Sequence, residues 1–244
     1  MIKKIISISL LIFTIGCLYF MSKGLVGITA AYFLIAFNIA RVIIETYAVK
    51  QLSNKLSIPD NIKDELPRKT GHMLISFITA PMIYYSFKGT IHMPLCIGII
   101  FIFVLIAIKI GLMDVISRDC NNDDNIDSVK YYVLAALINS TIAYFNPAYL
   151  IPTMLGFMTV GAGDPAAAFI GKLFGKHKIY NNKTLEGCIA FIIASTIAMY
   201  VFSGANIFFL IIIAICGAIV ELFADKYDNL LIQLVVAFIS FILL

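Results

Sequence analysis

Glycine, aspartate and lysine gather in one stretch of a chain that is otherwise strongly apolar. It reads Gly161-Ala162-Gly163-Asp164-Pro165-Ala166-Ala167-Ala168, then Gly171-Lys172, Gly175-Lys176-His177-Lys178 and Lys183-Thr184-Leu185-Glu186-Gly187. An aspartate at the end of an apolar run is costly unless it is paired, capped or metal-bound. Pro165 is favoured in the first turn of a helix, so Asp164 is expected to cap a new short helix there. Small residues let backbone N–H groups approach an anion, and the lysines add positive charge at the same mouth. Hard oxygen beside cations and glycine-rich backbone is what Mg²⁺ and a polyphosphate require. Tight helix packing would explain the glycines, and a charged loop the lysines, but neither explains Asp164 or Glu186.

Two further clusters accompany it. Asp64-Glu65-Leu66-Pro67-Arg68-Lys69-Thr70-Gly71-His72 enters an apolar run; Lys69 and His72 share a helix face, and Thr70 is a candidate cap. Glu221, Asp225 and Asp228 stand at i, i+4 and i+7, so one continuous helix would align three carboxylates that repel unless a cation joins them. Arg41 and Glu45, also four apart but inside an apolar run, are placed to neutralise one another or to hold a head group. Familiar motifs are excluded by spacing. Neither Gly171-Lys172 nor Gly175-Lys176 completes a Walker A loop, and Gly161-Gly163-Ala166 matches a dinucleotide fingerprint without the βαβ unit that would give it meaning. Asp119–Asp127 lacks the glycine and distal glutamate of a calcium loop. The five cysteines form no CxxC and read as small core residues.

These clusters must be positioned by membrane-spanning helices. Of 244 residues 61% are hydrophobic and 13% charged, against about 45–50% and about 25% for soluble domains. The formal charge of +4 is scattered over short loops, which excludes a nucleic-acid partner. Apolar runs near 5–22, 25–49, 70–87, 93–113, 129–145, 148–170, 188–203, 205–222 and 230–244 predict an all-α, polytopic membrane domain over 1–244 with about nine spans. The runs are apolar on all sides, unlike the alternating strands of a barrel. Placing the N-terminus in the cytoplasm puts 14 of the 18 basic residues on that side. The acids fall in the same loops or toward the same ends of the spans, so the polar chemistry faces the cytoplasm. The first run could alternatively be a cleaved signal ending near Gly16-Cys17; the later topology is the same either way.

Together the clusters resemble the CTP-dependent lipid-alcohol kinases: dolichol kinase, phytol and farnesol kinases and CTP-dependent diacylglycerol kinase. That family has an acid, Arg-Lys and His at a helix start, as in Glu65, Arg68, Lys69 and His72. Its Gly-Asp step and G-x-x-x-G-K loop ending in Lys-Ser-x-Glu-Gly are matched by Gly163, Asp164, Gly171, Gly175, Lys176, Lys183, Thr184, Glu186 and Gly187. Glu221, Asp228, Asn229 and Leu230 resemble its last region. Thr184 replaces the usual serine, Cys188 stands where serine is common, and Gln233 lies near a frequent proline. The resemblance covers 65–244, and the length fits the short, phytol-kinase-like branch. It implies transfer of the γ-phosphoryl group of CTP, or another nucleoside triphosphate, to the hydroxyl of a membrane-dissolved lipid alcohol. Asp164 is then expected to hold Mg²⁺, assisted by Glu186, Glu221 or Asp228. Lys172, Lys176 and Lys183 would neutralise phosphates, while Arg68, Lys69 and His72 lie at head-group level, with His72 the candidate proton acceptor. The alternatives are a cytidylyltransferase acting on the α-phosphate and a secondary transporter with a helix broken at Gly161–Pro165. The absence of two similar halves and of mid-bilayer charge argues against the transporter.

Overall fold

The computed structural model describes residues 13–55, 59–63, 65–110 and 123–244. Lys3, Lys4, most of the candidate signal segment, Asp114, Arg118 and Cys120 lie outside them, as do the side chains of Asp123–Asp127 and Asp225. Among the described residues eleven α-helices follow in order: α1 (Phe13–Ser22), α2 (Ile28–Lys55), α3 (Asp60–Lys63), α4 (Glu65–Leu74), α5 (Ala80–Phe87), α6 (His92–Lys109), α7 (Asp123–Phe145), α8 (Leu150–Phe174), α9 (Leu185–Ser203), α10 (Ile207–Phe223) and α11 (Asp228–Leu243). A π-turn, Ile75–Thr79, joins α4 to α5, so 65–87 runs as one helix with a widened middle. Pro81 explains its place. Without an N–H, Pro81 cannot bond the Phe77 carbonyl, and the ladder is re-registered just before it, with the Ala80 N–H donating to Ile75 O.

Among the described residues four stretches are long and apolar enough to cross a membrane: Ile28–Lys55, His92–Lys109, Pro147–Phe174 and Leu185–Ser203. The last two helices and α1 are apolar but shorter. Large apolar side chains such as Phe33, Ile44, Ile99, Val201 and Phe208 face outward, as lipid-facing positions would. The chain is thus an all-α integral membrane protein in architecture. Its centre is α8, with 61% of its apolar window buried against 28–33% for the other three spans. It packs chiefly on α9 and α11. Close approach is made possible by glycine. A Cβ on Gly161 would lie 2.2 Å from Ser76 Cβ, and one on Gly163 would lie 2.3 Å from Ser195 Oγ.

Several sequence expectations are corrected. No helix starts at Asp164: α8 continues through Asp164 and Pro165, and the Asp164 side chain is held by groups on α4 instead of capping a backbone. A proline inside a buried helix removes one backbone donor, which surrounding helices tolerate. Gly161 and Gly163 therefore serve helix packing. Thr70 is not a cap, because α4 begins at Glu65 and the Thr70 hydroxyl donates to Leu66 O at 2.7 Å. Glu221 and Asp228 lie on different helices, separated by a 3₁₀ turn at Asp225–Tyr227, so no single helix face aligns the three acids. Between α8 and α9 a small hairpin forms, β1 (Lys178–Tyr180) against β2 (Lys183–Thr184). Its two-residue turn takes Asn181 and Asn182 at φ of 43° and 61°, a conformation that asparagine tolerates well. The expected Arg41–Glu45 pair is present at 3.4 Å, and Arg41 also donates to Thr14. Cys17, Cys96, Cys188 and Cys216 are free thiols.

Candidate active site

Helix α4 borders two cavities of opposite character. Near its start lies a polar cavity of about 570 Å³ lined by Glu65, Arg68, Lys69, Asp164, Lys172, Lys183, Glu221, Lys226 and Asp228 among others. Farther along it lies an apolar cavity of about 110 Å³ lined by His72, Thr46, Tyr132 and aliphatic side chains of α2, α6 and α7. Arg68 borders both.

The polar cavity sits where helix N-termini converge. The first turns of α4, α9 and α11 open onto it through Glu65, Gly187 and Asp228. Unsatisfied N–H groups and the positive ends of helix dipoles make such positions receptive to anions. Thr184 caps α9, its Oγ1 accepting the Gly187 N–H at 3.2 Å. Its own role is thereby structural as well as lining. Gly171 and Gly187 let α8 and α9 cross closely beneath the cavity; a Cβ on Gly187 would lie 3.4 Å from Gly171 Cα. Five cationic side chains face four carboxylates, which leaves the lining net positive.

The charges are organised in pairs. Lys69 Nζ and Asp164 Oδ1 form an ion pair with side chains only 2% and 4% exposed. Asp164 Oδ2 meets His72 Nδ1 at 3.1 Å, and the His72 ring stacks on Tyr132 with centroids 5.4 Å apart. Tyr132 in turn shares a 2.7 Å hydrogen bond with Ser76. That fixes the imidazole at one nitrogen and one face. Its Nε2 is buried and has no hydrogen-bond partner. Glu65 receives Arg68 at 2.9 Å and Lys172 at 2.9 Å. Lys183 binds Glu221 Oε1 at 2.7 Å and also donates to the Glu221 carbonyl. Arg68 reaches Ser128 Oγ at 3.3 Å, and Asn229 donates to the same hydroxyl.

The polar cavity thus brings together Arg68, Lys69, Asp164, Lys172, Lys183, Thr184, Gly187, Glu221 and Asp228 from the sequence candidates. His72 joins through Asp164. Gly163, Gly175, Lys176 and Glu186 are not on its lining. Glu186 accepts the His177 backbone N–H and pairs with His177 Nδ1 at 2.7 Å, outside the cavity. Sequence reasoning missed Ser128, Tyr132, Asn181 and Asn182, whose short polar or aromatic side chains carried no spacing signal, whereas Lys226, which stands among the acids from Glu221 to Asp228, also lines the polar cavity. Among the described residues no group of three or more His, Cys, Asp or Glu side chains could hold a metal unaided. The donor set still fits Mg²⁺, which takes one or two carboxylates, keeps several waters and shares substrate phosphate oxygens. Asp228 is the most available donor. Its Oδ1 accepts the Asn229 N–H at 2.6 Å, and it makes no ion pair among the described residues.

No protein-family model matches the chain, and no solved structure does. The chain is 27% identical over 187 residues to the dolichol kinase sec59 of Schizosaccharomyces pombe, covering 68% of this chain and 37% of that protein. It is 28% identical over 183 residues to an uncharacterised protein of Methanocaldococcus jannaschii, covering 72% of this chain and 92% of that protein. The chain therefore spans about a third of the length of the dolichol kinase it resembles and most of the archaeal protein.

Proposed function

We propose that this protein is a membrane-embedded kinase that transfers the γ-phosphoryl group of CTP, or another nucleoside triphosphate, to the hydroxyl of a lipid alcohol. The observation carrying this reading is the pair of cavities meeting at α4, a charged one lined by Lys69 and an apolar one lined by His72. Similarity to a dolichol kinase supports it. Nine helices cross the bilayer in this reading, and the polar cavity opens to the cytoplasm, where nucleotides are available.

Each residue then has a task. Lys172, Lys183 and Arg68 neutralise phosphate oxygens, with the positive end of the α9 dipole beside them. The lipid hydroxyl lies at His72 Nε2. As the alcohol oxygen bonds to the γ-phosphorus, its proton passes to Nε2 and the bond to the β–γ bridging oxygen breaks, releasing the nucleoside diphosphate. Asp164 holds Nδ1 so that Nε2 faces the alcohol, and it stabilises the imidazolium that forms. Lys69 pairs with Asp164 and holds its carboxylate in place. Asp228, with Glu221 and Asp164 nearby on the lining, would hold Mg²⁺. Bound there, the metal would offset charge on the β- and γ-phosphates. The apolar cavity takes the start of the tail. A shallower groove of about 320 Å³ between α2 and α6 shares Ile39, Ile43, Ile100 and Phe103 with it and gives the rest of the tail a path to the lipid.

The test is incubation with Mg²⁺, phytol, farnesol or dolichol, and CTP labelled at the α or the γ position. Label reaching lipid from γ alone is the expected result. Label from α would establish a cytidylyltransferase, and no transfer with solute uptake in vesicles would establish a transporter.

A further inference from the structure

We infer that Thr46 is the second anchor of the lipid hydroxyl, donating a hydrogen bond to the alcohol oxygen whose proton faces His72; this rests on the kinase reading above. Thr46 lies on α2, outside every motif that pointed to the site. It is 1% exposed and its Oγ1 is buried without a hydrogen-bond partner. That is unusual here. The helical threonines Thr70, Thr141, Thr153 and Thr159 each donate to the carbonyl four residues back. Thr196 is also unpartnered, but it lines none of the three cavities.

Thr46 and His72 line the same apolar cavity and supply two of its buried polar atoms that lack partners. A Cβ on Gly71 would lie 3.5 Å from Thr46 Oγ1, so the hydroxyl faces α4 one residue before His72. An orphaned hydroxyl and an orphaned ring nitrogen on two residues lining one apolar cavity suit one ligand group that both accepts and donates. A primary alcohol on a hydrocarbon tail is such a group. A carboxylate or a charged head would bring a desolvation penalty that these two neutral partners could not offset. Thr46 therefore positions and selects; it takes no proton.

The experiment compares wild type with Thr46→Val, Thr46→Ser and Thr46→Ala in lipid nanodiscs, using farnesol and γ-labelled CTP. Thr46→Val should raise KM for farnesol about tenfold, the worth of one hydrogen bond, and leave KM for CTP unchanged. Thr46→Ser should restore the wild-type value. In direct binding, wild type should prefer farnesol over farnesene, its hydrocarbon counterpart, and Thr46→Val should lose that preference. Thr46→Ala serves if the valine variant does not accumulate. An active wild type whose farnesol KM and binding preference survive loss of the hydroxyl overturns the inference. A wild type that transfers nothing, yet shows the Thr46-dependent preference, overturns the kinase reading and keeps the alcohol site.

Discussion

Breaking the Lys69–Asp164 pair should unfold more of this protein than removing any surface ion pair. Both side chains are almost wholly enclosed, at 2% and 4% exposure, so the exposed-pair value of about 0–1 kcal/mol does not apply. Lys69→Met leaves a buried carboxylate with His72 as its remaining partner, and Asp164→Asn leaves a buried ammonium. Each should lose about 3–5 kcal/mol, the range for stranding one charge of a buried pair. The double variant Lys69→Met/Asp164→Asn strands neither, so it should recover about 2–3 kcal/mol relative to the sum of the two singles. The measurement is reversible SDS unfolding in mixed micelles followed by far-ultraviolet circular dichroism. Activity separates structure from chemistry. The double variant should remain inactive even where stability returns, because His72 then lacks an ionised partner. Single-variant losses below about 1 kcal/mol, or a strictly additive cycle, would refute the claim that this pair organises the core.

Three further outcomes follow from the same geometry. His72→Asn should lower kcat about 10²–10⁴-fold, the usual worth of a positioned general base, with KM for CTP unchanged in steady-state assays. Asp228→Asn should raise the Mg²⁺ concentration needed for half-maximal activity and leave thermal unfolding without metal unchanged; an unaltered Mg²⁺ titration would exclude Asp228 as a metal ligand. Gly161→Ala should destabilise by about 1–3 kcal/mol through overpacking, since its Cβ would lie 2.2 Å from Ser76 Cβ, and Ser76→Gly should rescue it in the same unfolding assay.

Much of this arrangement was legible in the sequence, for reasons that differ by element. The apolar runs announced helices because burial in lipid imposes one pattern, and apart from the short α3 the helices found from 28 onward overlap those runs. Arg68, Lys69 and His72 were visible because helical spacing alone brings them together. Asp164 stood out as a charge in an apolar run, but its partners were hidden. Lys69 is 95 residues away and His72 is 92, and no local rule links them. Local chemistry instead favoured a helix cap before Pro165, an inference that packing overrode. The alignment of Glu221 with Asp228 failed similarly, because the 3₁₀ turn between α10 and α11 changes direction after Phe223. Thr46 carried no signal, since an unpaired hydroxyl is a property of the folded surroundings.

The π-turn after α4 connects these observations. A widened turn shifts the register of everything beyond it by one residue relative to an α-helix. Here Ser76 and Thr79 lie within it; Ser76 bonds Tyr132, against which His72 stacks, and Thr79 accepts from Asn38 of α2. One bulge thus fixes the ring beneath His72 and ties the same helix to the one carrying Thr46. In a regular helix these contacts could not all form from the same side-chain positions. Pro81 makes the regular alternative unattractive by withholding the N–H it would need. Replacing Pro81 by Ala should therefore permit an ordinary helix over 75–85, and its effect should be read at the site rather than in global stability. The expected result is a higher KM for the lipid alcohol with unchanged KM for CTP. Unaltered kinetics for both substrates would show that the bulge is a packing accommodation and not part of how the two cavities are held in line.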